Sequence, residues 1–136
     1  MRRTVRGWAA AAWLVGGAAW LVKVLLIAEN GGSNTDEGVV AVAFLVGVAS
    51  LVLAGALTGF VLLRRFGLWA ALLGVPLGAV VVLVGISGVD SLLSAIVPAS
   101  GWFEDEVGVL GMVVLAALVA VRLVRSTPRP GRHQPA

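Results

Sequence analysis

The chain has no cysteine, one histidine and little charge, and each shortage closes off a kind of chemistry. Without cysteine there is no disulfide, no thiolate metal ligand and no cysteine nucleophile. His133 stands among the prolines and arginines of the C-terminal segment, far from any second ligand, so a zinc-type site is not expected. Charged residues make up 12% of the 136 residues, about half the share of an ordinary soluble domain. What remains contains no Ser/His/Asp arrangement, no HExxH, no phosphate-binding glycine loop and no acidic pair within an apolar run. An enzyme is therefore not expected, and no cofactor is implied.

What is present in excess is apolar surface, at 60% hydrophobic residues. A membrane-spanning helix takes roughly 20 apolar residues, so the length holds three to four spans and leaves nothing for a soluble domain. The reading is an all-α integral membrane bundle of four transmembrane helices over 1–125, with spans at about 7–28, 38–63, 68–89 and 108–124. A short tail, 126–136, mixes arginine with proline, lacks the apolar content to pack and is expected to be disordered in the cytoplasm. A basic start before an apolar run is also how a secretory signal begins, but the length of the first run favours a retained span.

Charge sorting orients the bundle. With four spans, all nine arginines fall on one side: three before the first span, two between the second and third, and four in or after the last. The seven acids fall on the other. By the positive-inside rule this is N-in/C-in insertion, with both termini cytoplasmic in a multi-pass protein of the cell membrane. The net charge of +3 is accounted for by orientation, so no nucleic-acid partner is expected; the lipid bilayer is the partner that composition implies. Trp8 and Trp69 mark the inner boundary and Trp102 the outer, where indoles prefer to sit, while Trp13 and Trp20 lie deeper and read as packing residues.

Lys23 is the one ionisable residue inside a span, where a charge costs a few kcal/mol. It lies in the outer part of the first helix, so it either extends its ammonium to the outer headgroups or faces the interior against an acid at similar depth. Asp90, at the outer end of the third span, is the candidate partner, with Glu29 a competitor close in sequence. Trp13, Gly16, Trp20, Lys23 and Ile27 share one helical face, which puts Lys23 within cation–π range of Trp20. Ser87, Asp90, Ser91 and Ser94 form a polar stripe if the third helix continues past Val89, which would line a water-filled outer vestibule or lie on the membrane surface; the surface reading is preferred. Glu104, Asp105 and Glu106 read as part of a solvated loop.

Small residues recur at helix-packing intervals: Gly16 with Gly17, then Gly47 in a seam with Ala43, Ser50 and Ala54. Gly55 with Gly59, and Gly74 with Gly78 around Pro76, repeat a GxxxG spacing. Such positions let backbones approach closely, either within the chain or between chains. In size and helix count the chain is similar to the small multidrug-resistance transporters and the small dual-topology fluoride channels. Those transporters carry a membrane-embedded acid in the first helix where this chain has Lys23, and its charge bias argues against dual insertion, so no functional residue carries over. The functional expectation is a non-enzymatic membrane protein acting by helix association, as a homo-oligomer or as an accessory subunit of a membrane complex. The alternative is a small transporter or channel using Lys23 and Asp90.

Overall fold

A computed structural model describes residues 2–31, 37–97 and 101–126. Four helices account for nearly all of them: α1 (Arg2–Glu29), α2 (Glu37–Leu63), α3 (Leu68–Ile96) and α4 (Trp102–Arg125). All four are long and apolar enough to cross a membrane. Even α4, with 24 residues, is about 36 Å long at 1.5 Å per residue, more than a ~30 Å hydrocarbon core. The tail at 127–136, His133, Pro98 and most of the first loop with Asp36 lie outside the described residues.

The helices form a square. α1 packs on α2 and α4, α3 packs on the same two, and the diagonals barely meet. Side-chain pairings show that every neighbouring pair is antiparallel. Trp13 reaches Thr58 and Trp20 reaches Phe44 across α1–α2, while Arg6 meets Ser126 and Lys23 meets Glu106 across α1–α4. Arg6, Arg64, Arg65, Arg122 and Arg125 thus gather at one end of the square, and Glu29, Glu37, Asp90, Asp105 and Glu106 at the other.

The turn from α2 to α3 is made by a short 3-10 turn, Arg64–Phe66, closed by Gly67 N–H donating to Arg64 O at 3.2 Å. Gly67 adopts φ 117°, a conformation that a side chain disfavours, so glycine is what lets the chain reverse in so few residues.

The interior is small-residue packing around two indoles. Trp13, Trp20, Leu51, Met112 and a row of alanines, Ala54, Ala116 and Ala120, make its core. Glycines set how closely the helices cross. The Trp20 indole lies in the space a side chain at Gly47 would need, and Leu51 fills the space over Gly16, where an added Cβ would stand 2.7 Å from Leu51 Cγ. Gly17 faces Ala116 of α4. Gly55, Gly59, Gly74 and Gly78 meet backbone to backbone at the α2–α3 crossing, where the carbonyls of Gly55, Gly59, Gly74 and Gly78 occupy the positions of one another's missing side chains. All seven glycines singled out from the sequence therefore face neighbours within the chain. A contact between chains must use other surface.

That surface is extensive. Leu14, Val42, Leu45, Leu73, Val84 and Leu118 all point outward, an apolar exterior that marks a lipid or protein environment rather than water. α3 is the most peripheral helix, and among its residues only Ala71, Gly74 and Val82 are buried.

Helix bounds differ from the spans read from sequence chiefly at the acidic end. α3 runs without interruption through Pro76 and on to Ile96, so 90–96 extends the third helix instead of leaving it at Val89. The hydroxyls of Ser87, Ser91 and Ser94 donate to the backbone carbonyls one turn earlier, which satisfies them without an aqueous partner. α4 begins at Trp102, six residues ahead of the expected Gly108, with Gly101 at φ 71° forming its N-terminal boundary.

Candidate functional site

The early start of α4 decides the chemistry of the acidic end. Glu106 lies in the second turn of the helix and not in a loop, and only 7% of it is exposed. It faces α1, where Lys23 Nζ donates to both Glu106 Oε1 and Oε2 at 2.7 Å. The two side chains are 14% and 10% exposed, so the pair is largely withdrawn from its surroundings. Lys23 neither turns out to headgroups nor pairs with Asp90. The reason is topological: α3, which carries Asp90, is diagonal to α1 across the square, whereas α4 is its neighbour. Asp90 is exposed and packs against Gly108 of α4, in the space a side chain there would take. Gly111 similarly receives Val89 and Leu93, so Gly108 and Gly111 are close-approach positions that the sequence reading had passed over.

Aromatic residues wall the ion pair on the α2 side. Phe44 stacks on Trp20, with centroids 5.9 Å apart and rings within 2° of parallel, and the Trp20 indole N–H donates to Phe44 O at 3.2 Å. Lys23 Nζ is 5.7 Å from the Phe44 centroid. The cation–π partner is thus Phe44, on α2, where Trp20 had been expected. Exclusion of water on this side lowers the local dielectric, which strengthens the ion pair and raises the penalty for losing either member.

Nearer the arginine end a second polar contact is buried in the same core. Trp13 Nε1 donates to Thr58 Oγ1 at 3.1 Å, and Thr58 Oγ1 donates in turn to Ala54 O at 2.7 Å. One hydroxyl thereby satisfies the indole and spends its own proton on its helix. Among the described residues no buried side-chain nitrogen or oxygen lacks a partner. Trp13→Phe should cost about 2 kcal/mol, the hydrogen bond together with the space the smaller ring leaves in the core. Thr58→Val should cost a similar amount, and the double variant should cost less than their sum. Chemical unfolding in detergent, followed by the remaining tryptophans, checks this.

Toward the arginine end, two cavities are lined in part by α2. An apolar crevice of about 420 Å³ is walled by all four helices, including Trp13, Gly59, Leu77, Gly85, Met112 and Val119. It occupies the stretch where α3 and α4 are not held by the Asp90–Gly108 and Leu93–Gly111 contacts at the acidic end. A smaller cavity of about 220 Å³ is lined by Arg6, Phe60, Arg64 and Arg65. Among the described residues no three His, Cys, Asp or Glu side chains are grouped as a metal site. What the arrangement offers is a neutralised interior charge at one end and, at the other, guanidiniums that no carboxylate among the described residues neutralises.

Comparisons with protein-family models, with curated proteins and with solved structures give no match, so function must be argued from this chain's own residues.

Proposed function

We propose that this is a multi-pass protein of the cell membrane with both termini in the cytoplasm, and that it acts without catalysis by associating laterally, as a homo-oligomer or as an accessory subunit. The orientation is supported by the separation of arginine and acidic ends, since positive charge is retained on the cytoplasmic side. The observation that carries the association is α3. The glycine crossing holds α3 to α2, yet α3 buries only three residues and presents a continuous exposed stripe, Leu73, Leu77, Val80 and Val84, that is free to pack on a neighbour. The first occupant assigned to that stripe is a second copy of the chain, because an uncharged stripe of one kind of residue is self-complementary under a two-fold axis.

The transport alternative loses the pair it was built on. Lys23 is already bound by both oxygens of Glu106, and the aromatic stack of Trp20 and Phe44 stands beside it where a hydrated path would be needed.

Absence of cysteine makes the test clean. Single cysteines introduced at Val80 or Val84 should cross-link in native membranes to give a defined adduct of twice the chain's mass. A cysteine at Val15, on the outer face of α1, should not. An adduct of another defined mass would identify a subunit role in place of the homo-oligomer. If α3 cysteines give no more adduct than Val15→Cys, and the purified protein is monomeric by native mass spectrometry, association through α3 is wrong.

A further inference from the structure

The arginine end holds three cations around one small cavity. Arg6 enters it from α1, Arg64 and Arg65 from the 3-10 turn after α2, and Phe60 forms part of its wall. Each guanidinium is held in place, and among the described residues none is neutralised. Arg6 Nη1 donates to Ser126 O at 3.1 Å, using one of its five N–H donors. The Arg64 guanidinium lies 5.7 Å from the Phe60 ring centroid and that of Arg65 lies 4.5 Å from Phe66. Among the described residues no carboxylate pairs with any of them, since the ion pair Lys23–Glu106 is at the opposite end. Arginine presents a planar fork of donors that suits phosphate oxygens, so three of them around one cavity favour an anion there.

An apolar crevice lies beside this site. Leu62 lines both cavities, so a cationic mouth and an apolar chamber share a wall. Along α2 the chamber runs from Gly55 to Leu63, about 12 Å at 1.5 Å per residue, toward the middle of the bundle. A ligand that satisfies both parts is anionic at one end and a hydrocarbon chain at the other. We propose that this end of the bundle binds an anionic phospholipid. The phosphate is held by Arg6, Arg64 and Arg65, whose planar forks suit phosphate oxygens, and one acyl chain enters the crevice. The site rests on the membrane-spanning reading with arginines at the anionic leaflet. It does not depend on association through α3.

The test uses the purified full chain in detergent with three probes: dioleoyl phosphatidylglycerol, dioleoyl phosphatidylcholine and glycerol phosphate. Native mass spectrometry counts bound lipid, and fluorescence of Trp13, which lines the crevice, reports entry of the chain. Phosphatidylglycerol should bind roughly tenfold more tightly than phosphatidylcholine, because its phosphate is not offset by a choline cation, a difference worth about 1 kcal/mol per basic residue at the site. Arg6→Gln should remove most of that preference. Because Arg6→Gln also loses the bond to Ser126, a second variant with Arg64→Lys and Arg65→Lys keeps the charge and the orientation but removes the forks; it too should weaken phosphatidylglycerol selectively. Gly85→Leu fills the crevice, and since nothing lies within 4 Å of a Cβ at that position it leaves the helix contacts intact. It should weaken both lipids alike.

Equal binding of the two lipids in the unaltered protein, or a preference unchanged in every variant, would overturn the proposal. If glycerol phosphate competes as well as the intact lipid and Gly85→Leu changes nothing, the cavity takes a soluble phosphate and the lipid assignment is wrong. Failure of the α3 cross-links would leave the lipid stoichiometry per chain unaltered, so the two readings fail separately.

Discussion

Glu106→Ala is expected to lower stability by about 3 kcal/mol, because it leaves the Lys23 ammonium withdrawn from solvent with no counter-charge. The loss should appear as a lower thermal midpoint in detergent and as reduced accumulation in membranes. Removing both members restores an apolar contact: Lys23→Leu with Glu106→Leu should recover most of the loss, as replacement of a buried pair by packed side chains often does. Asp90→Asn and Glu29→Gln are the controls. Both acids are exposed in the structure, and each change should stay within about 0.5 kcal/mol. A result in which Asp90→Asn is the damaging substitution and Glu106→Ala is silent would show that Lys23 is paired across the diagonal after all.

The second large effect is expected at the α2–α3 crossing. At Gly59 an added Cβ would run into the Gly74 carbonyl, and at Gly78 into the Gly55 carbonyl. Those obstacles are backbone and cannot rotate aside, so the helices must separate. Gly59→Val should cost about 3 kcal/mol or more, the upper range of overpacking, and should lower the yield of folded protein. Gly88→Ala, on the same helix as Gly78 but with open space around it, should be silent. The contrast separates the loss of a close crossing from any general effect of removing glycine. Measured midpoints for the two variants that fell together would refute the crossing.

Four helices of membrane-spanning length were legible in the sequence because long uncharged runs have few other uses, and Arg64, Arg65 and the ENGGSNTDE segment punctuate them sharply. The glycine positions were legible as positions of close approach, but not what approaches them. A GxxxG reads the same whether its partner is another span of the chain or another molecule, and here Gly55 and Gly59 find Gly74 and Gly78. The ion pair was half legible. Lys23 stands out as a lone charge, whereas Glu106 hides in an acidic run whose polarity resembles a loop. A signal did exist: stepping back from Ala120 through Ala116 and Val113 to Val109 leads, three residues on, to Glu106, on the stripe that α4 turns toward its neighbours. What no periodicity could supply is which helices adjoin, and that alone decides between Asp90 and Glu106.

The Lys23–Glu106 pair also has a history within each molecule. Its two members are 83 residues apart in the chain. At synthesis rates of 5–20 residues per second the lysine waits roughly 4–17 s for its carboxylate. A chain that inserts span by span therefore passes through a stage in which α1 is in place with its charge unanswered. Lys23, near the acidic end of α1, can bridge that interval by reaching toward water, which a lysine at mid-helix could not do. Arrival of α4 then converts a tolerated span into a committed one. A truncated chain ending before Glu106 would remain at the earlier stage, visible to whatever machinery clears incompletely assembled membrane proteins.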